Sequence, residues 1–135
     1  MTYTHSIAVP LPWDEAVRRT REALKEQGFG ILTEIDVRAT FETKLGVEAA
    51  DAVGDYLILG ACNPALASRA LAAEPSMGAL LPCNVVVRRG RDEQQTTIEA
   101  IDPQTMVRLS ASPAVGAVAD DAGARLDRAL ADLAS

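Results

Sequence analysis

Side chains that carry most protein chemistry are scarce in this sequence. Its 135 residues include one histidine, His5, and two cysteines, Cys62 and Cys83. The single histidine lies near the start of the chain, which argues against a catalytic triad and against metal sites built on several imidazoles. Two cysteines are too few for a zinc site unless histidine or carboxylates join them. We therefore expect no metal site, and the sequence identifies no cofactor.

Long apolar runs and basic charge are also missing. No apolar run approaches the roughly 18 residues that cross a bilayer, and the first twelve residues contain no lysine or arginine. We therefore expect a cytoplasmic protein without membrane contact, in which cysteines stay reduced. Nineteen acidic residues against thirteen basic ones give a net charge of −6, which disfavours nucleic acid as a partner.

The size and composition of the chain fit one compact domain. Hydrophobic residues make up 48% of the sequence, which is close to the globular average and argues against disorder. A chain of 14.3 kDa leaves little room for two domains. Residues 1–135 are therefore predicted to form a single domain.

Hydrophobic periodicity predicts the element order β-α-β-β-α-β-β-α. The predicted strands cover residues 3–9, 30–38, 56–62, 81–89 and 95–101. One helix runs from Trp13 to Gly28, a short one follows Asn63, and the last follows Ser112, with an apolar stripe from Val115 to Leu133. A short helical turn is predicted over 39–46, a loop over 51–55 and a turn at 77–78. This order predicts an α+β fold with a single, mostly antiparallel sheet packed on helices.

The cysteines and their polar neighbours are the candidate ligand-binding residues. If strands two to five form a meander, the end of strand three lies beside the start of strand four. The residues expected at that end of the sheet are Cys62, Asn63, Cys83, Asn84 and Asp102. An oxidant could join the two thiols if they were in register, whereas an offset of one residue would forbid the bond.

Two interpretations of the cysteines remain open at this point. Cys62 precedes a helix N-terminus, where amide groups stabilise a thiolate, so it could be a reactive cysteine that Cys83 resolves. The structural interpretation is that both are small buried hydrophobic residues in apolar strands. Asn63 has a structural account of its own as a helix N-cap.

A second polar cluster is predicted from Glu34, Asp36 and Lys44. The two carboxylates share one face of a strand and could bind a cation or share a proton. The alternative is a solvated strand face on which Lys44 or Arg38 forms an ion pair with a carboxylate.

Several motifs occur along the chain in a fixed order. They are GFG at 28–30, EIDV at 34–37, KLG at 44–46, ILGACNP at 58–64, LLPCNVVV at 80–87 and DP at 102–103. Over about residues 5–108 they resemble the bacterial and archaeal "domain of unknown function 302" family. The resemblance carries over these motif positions: Glu34, Asp36, Lys44, Cys62, Asn63, Pro64, Cys83, Asn84 and Asp102.

The resemblance implies a fold and little chemistry. It implies a β-α-β(4)-α arrangement similar to the fold of the TATA-box-binding protein, with a short helix inserted between strands three and four. It also implies a homodimer, and some relatives are fused to, or encoded near, redox and sulfur-metabolism proteins. The nucleic-acid role of the similar fold does not transfer, because fold does not fix function and the net charge of −6 opposes it.

These observations lead to one functional hypothesis and two alternatives. The first is a non-enzymatic or weakly catalytic domain that binds a small ligand or cofactor near Cys62 and Cys83. The second is a thiol-dependent redox or metal-handling protein that uses the same cysteines. The third is a dimerisation module without chemistry, favoured by the apolar surface that a single sheet leaves uncovered on one face.

Overall fold

A computed structural model describes residues 2–135 of the chain. Its strands form one antiparallel sheet in the spatial order β1-β5-β4-β3-β2. The strands are β1 at Thr4–Val9, β2 at Gly30–Asp36, β3 at Asp55–Cys62, β4 at Cys83–Arg89 and β5 at Thr96–Ile101. Strands β2 to β5 therefore form the predicted meander, and β1 pairs with β5 at one edge. The predicted α+β class and β-α-β(4)-α order are confirmed.

The connections between strands are helical. The helices are α1 at Trp13–Glu26, α2 at Val37–Leu45, α3 at Val47–Val53, α4 at Pro64–Ala73, α5 at Gln104–Leu109 and α6 at Pro113–Ala134, with a 3₁₀ helix at Pro75–Leu80. Helix α4 is the short helix predicted between strands three and four. None of the helices within residues 2–135 combines the length and apolar content needed to span a bilayer.

Helices α1 and α6 cover one face of the sheet. The buried side chains of the central strands alternate along the chain, as in Val85 and Val87 of β4 or Ile98 and Ala100 of β5. Those residues pack with Leu24 of α1 and the C-terminal half of α6 in one hydrophobic cluster. The opposite face is left partly exposed, because residues between the buried positions stay accessible to solvent.

A second hydrophobic cluster lies between α4, the 3₁₀ helix, α5 and the first half of α6. Its buried members are Leu66, Ala70, Met77, Met106, Val115, Val118 and Ala122. Helix α6 therefore contributes to both clusters, and its predicted apolar stripe from Val115 to Leu133 is buried as expected.

One local prediction is wrong, and two short helices go beyond what was predicted. Residues 51–55 do not form a loop, because α3 continues to Val53 and ends at Gly54, whose φ is 72°. Helix α5 follows the Asp102-Pro103 break, where no helix was predicted. A 3₁₀ helix replaces the predicted turn at 77–78. These helices have only six or seven residues each, which is too short for a helical period to stand out.

Candidate functional site

An apolar cavity of about 300 Å³ lies at one end of the sheet, between the two hydrophobic clusters. Its lining residues are Phe29, Leu32, Ala61, Cys62, Asn63, Leu66, Ala67, Ala70, Leu71, Gly78, Leu81, Pro82, Cys83, Met106, Val118 and Ala122. No charged side chain belongs to this lining. A concave, mostly apolar site of this size lies at the lower end of the range of small-molecule sites.

Both cysteines border the cavity, but they are one residue out of register. The strand pairing places Ala61, and not Cys62, opposite Cys83. The in-register arrangement that an intramolecular disulfide requires is therefore not found. Burial, with a smaller contribution from Cys62, raises the pKa of Cys83 to about 11. Cys83 is thus a neutral thiol at physiological pH, whereas Cys62 is only half-buried.

Asn63 connects the cavity to the start of α4. Its Oδ1 atom accepts a hydrogen bond from the Leu66 amide at 3.1 Å, so the predicted N-cap is confirmed. A Cβ atom at Gly28 would lie 3.0 Å from Nδ2 of Asn63 and 3.2 Å from Nη1 of Arg125. Because Gly28 also has a φ of 85°, this close approach of α1, α4 and α6 requires glycine there.

Two leucines mark the side on which the cavity meets solvent. Leu32 of β2 is 67% exposed and Leu71 of α4 is 40% exposed, yet both belong to the lining. Leu32 sits at a β-bulge: Ile31 pairs with Ala61 and Thr33 pairs with Gly60, so Leu32 has no partner in the ladder. The exposed part of the cavity lining therefore includes apolar side chains from two separate elements.

Asn84 and Asp102 lie outside the cavity lining. Asn84 is exposed and borders a separate groove with Tyr56 and Glu99. Asp102 accepts a hydrogen bond from the Gln104 amide at 3.0 Å, at the start of α5. Of the five residues predicted to gather at this end, the structure brings Cys62, Asn63 and Cys83 to one cavity.

The carboxylate of Asp102 belongs instead to a cluster around the single histidine. Nδ1 of His5 lies 2.8 Å from Oδ1 of Asp127, and Nε2 lies 3.4 Å from Oδ2 of Asp102. The hydrogen bond with Asp127 is the main cause that raises the pKa of His5 above its usual value. The cluster joins the edge strand β1 to α6 and to the segment before α5.

The three residues of the second predicted polar cluster have different surroundings in the structure. Glu34 pairs with Arg21 of α1, and this guanidinium holds the pKa of the carboxyl below its usual value. Asp36 is the N-cap of α2 and accepts a hydrogen bond from the Ala39 amide at 2.9 Å. Lys44 lies in the last turn of α2, apart from these contacts. The partner of Glu34 is therefore neither Lys44 nor Arg38.

Metal-binding geometry is not found in the described part of the chain. Across residues 2–135, no group of three or more His, Cys, Asp or Glu side chains is placed to hold a metal ion. Arg38, the other cation considered for Glu34, instead forms ion pairs with Asp51 at 2.9 Å and with Asp55 at 3.7 Å.

Comparisons with known proteins place the chain in a family. Residues 5–133 match the family model described as "Domain of unknown function DUF302". The chain belongs to this family. The chain is also similar to the crystal structure of an uncharacterized conserved protein DUF302 from Bacillus stearothermophilus, with a TM-score of 0.85 and 28% sequence identity. That similarity covers 98% of this chain and 99% of the other. No curated protein matches.

Most of the cavity lining in this DUF302 chain was not predicted as functional. Phe29, Leu66 and Met106 are apolar, and an apolar residue that lines a cavity looks in sequence like one that fills a core. The one signal in the sequence was Leu32, because strand alternation places this leucine on the same face as the polar residues Glu34 and Asp36. The strand alternation did not predict the bulge that places it there.

Proposed function

We propose that this protein binds a small, uncharged and largely apolar ligand in the cavity beside Cys62 and Cys83. The observation that carries the proposal is the cavity itself, about 300 Å³ in volume and lined without a charged side chain. That volume lies at the lower end of the range of small-molecule sites.

The polar groups of the lining define which ligands fit. Binding of a charged ligand would be unfavourable, because the ligand would lose its hydration and the lining contains no opposite charge to compensate. The Cys83 thiol is protonated at neutral pH, since burial raises its pKa to about 11, so it offers only a weak donor. The Asn63 amide and the half-buried Cys62 thiol are the remaining polar positions. We therefore expect an apolar body with at most one or two neutral polar atoms.

A matched pair of variants on α4 tests this proposal. Ala67 lines the cavity, whereas Ala72 is exposed on the same helix and does not. Titration with the uncharged fluorescent probe N-phenyl-1-naphthylamine should show saturable binding of one molecule per chain. Ala67→Leu fills part of the cavity and should weaken this binding strongly, whereas Ala72→Leu should leave it unchanged. Equal binding by the two variants, or no saturable binding to the native chain, would contradict the proposal.

The redox and metal-handling alternatives have less support from the site. A thiol-disulfide enzyme needs an accessible thiolate, but burial raises the pKa of Cys83, the resolving thiol in that mechanism. The offset between Cys62 and Ala61 also works against a bond between the two sulfurs. For a metal, the described residues offer no third ligand of the usual types near the thiols.

We further propose that residues 1–135 act as one domain that forms a homodimer. The open face of the sheet supports this proposal, because Ile58 and Val86 pair at its centre and Ile35 beside them is 48% exposed. A second copy would bury this apolar surface. Light scattering at micromolar concentration should give twice the chain mass of 14.3 kDa, and Val86→Lys should shift the protein to monomers. A native particle of 14.3 kDa would rule out the dimer.

A further inference from the structure

We propose that Leu32, carried to the mouth of the cavity by a β-bulge, is a gate that controls how fast ligand enters and leaves. The inference rests on the proposed ligand binding in this cavity. It assigns a role to a residue that neither core packing nor sheet pairing explains.

The bulge is the first observation behind this proposal. Ile31 faces Ala61 and Thr33 faces Gly60 across the β2–β3 ladder, so Leu32 is one extra residue between two adjacent pairs. A bulge breaks the alternation of a strand and re-aims one side chain, and bulges are frequent beside functional sites. Here the re-aimed side chain belongs to the cavity lining.

The surroundings of Leu32 give the second observation. Its neighbour Ile31 packs against the sheet core, but Leu32 is 67% exposed and is not among the residues packed there. Leaving a leucine in water forgoes most of the stabilisation that its burial would provide. A ligand in the cavity would cover part of this exposed surface and so recover part of that stabilisation.

The third observation is a second exposed leucine in the cavity lining. Leu71, in the last turn of α4, also lines the cavity and is 40% exposed. The two leucines come from different elements, β2 and α4, and neither can form an ion pair or a side-chain hydrogen bond. Apolar side chains that are held only by weak contacts can change rotamer without breaking the fold. We call Leu32 and Leu71 the leucine gate.

The register of β2 allows an unusually direct test. Deletion of Leu32 would join Ile31 to Thr33 and leave every other strand pair as it is, since their partners Ala61 and Gly60 are already adjacent. The deletion therefore removes the bulge and the gate residue together. Leu32→Ala removes the side chain alone, and Leu32→Phe enlarges it. Leu45→Ala is the control, because Leu45 of α2 is also a leucine, is 68% exposed and lies outside the cavity lining.

Stopped-flow mixing with N-phenyl-1-naphthylamine measures both rate constants. A gate slows passage in both directions, so Leu32→Ala and the deletion should raise the association and dissociation rate constants together. We expect the dissociation rate constant to rise about tenfold, the factor that corresponds to ~1.4 kcal/mol. Leu32→Phe should lower both rate constants, and Leu45→Ala should change neither.

Each other outcome overturns the gate. If Leu32→Ala raises only the dissociation rate constant, Leu32 is a wall of the site and not a gate. Unchanged rates in the deletion and in Leu32→Ala, or equal effects of Leu45→Ala, also overturn it while the proposed ligand binding survives. If the native chain binds no probe, the ligand-binding proposal fails and the gate fails with it.

Discussion

Cys62 and Cys83 border the same cavity but are offset by one residue, because Ala61 is the cross-strand partner of Cys83. Side chains of directly paired residues point to the same side of the sheet, so Ala61 shares the helix-covered side with Cys83. Adjacent residues of one strand point to opposite sides, so Cys62 does not share it. Cys62 reaches the cavity from the last position of β3, next to the N-cap of α4. The two thiols thus border one space without facing each other as a pair.

This offset predicts that the two native cysteines resist oxidation to an intramolecular disulfide. Mild oxidation followed by mass spectrometry of the intact chain should show no loss of two hydrogens. Both thiols should still react with an alkylating agent after the chain is unfolded. A rapidly formed intramolecular disulfide would show that the strand register is different.

A relocated cysteine supplies the positive control. In a Cys62→Ser background, Ala61→Cys places a thiol directly opposite Cys83. Directly paired residues of antiparallel strands have Cα atoms roughly 4.5–5.5 Å apart, which is within the range of disulfides. The double variant should therefore lose two hydrogens under the conditions that leave the native chain reduced.

The same thiols should differ strongly in reactivity. Burial raises the pKa of Cys83 to about 11, so at pH 8 roughly one thiol in a thousand is a thiolate. Cys62 is half-buried at the cavity and is more accessible to a reagent. Iodoacetamide should modify Cys83→Ser, which retains Cys62, much faster than Cys62→Ser, which retains Cys83. Similar rates in the two variants would mean that Cys83 is not buried as described.

Long periodic elements and short caps could be predicted from the sequence. The apolar stripe of α6 repeats over about five turns, and every predicted member from Val115 to Leu133 is buried. Asn63-Pro64 predicted the start of α4 because the asparagine cap and the proline at the first helical position are local effects. Ser112-Pro113 also predicted a helix start correctly, but Ser112 makes no side-chain capping hydrogen bond.

The site could be predicted only in part, because it depends on register and on distant packing. The hydrophobic pattern placed Cys62 and Cys83 at one end of the sheet. The pattern alone does not distinguish the observed β3–β4 pairing from one that is shifted along the strands. The ion pair between Glu34 and Arg21 was not predicted, because Arg21 belongs to α1. The sequence does not show where α1 packs relative to β2. The cavity itself is a gap between two clusters, and no residue pattern encodes a gap.

The two helix starts provide a matched stability experiment. Asn63→Ala removes the hydrogen bond to the Leu66 amide and should lower the free energy of unfolding by about 1 kcal/mol. Ser112→Ala removes no capping hydrogen bond and should change the free energy of unfolding by about a few tenths of a kcal/mol at most. Urea unfolding of both variants measures the difference. Equal effects at the two positions would contradict the cap at Asn63.

The histidine cluster predicts how stability depends on pH. When protonated, His5 can donate to Asp127 from Nδ1 and approach Asp102 with Nε2, and these contacts raise its pKa in the folded chain. A group whose pKa is higher in the folded state contributes its full stabilisation below the unfolded pKa, which is 6.5 for His5. That contribution is lost as the pH rises through the folded pKa.

His5→Gln should therefore be less stable than the native chain at pH 5.5, and the difference should shrink toward pH 9. The His5 side chain is 46% exposed, so solvent screening limits the difference to less than about 1 kcal/mol. Asp127→Asn removes the principal partner and should reproduce the same pH dependence, whereas a substitution at the remote exposed Glu48 should not. The urea midpoints of unfolding of the native chain and of each variant, measured across this pH range, give the difference in stability. A native advantage that grows with rising pH would mean that the folded state favours neutral His5, which is opposite to the effect of its two carboxylate neighbours.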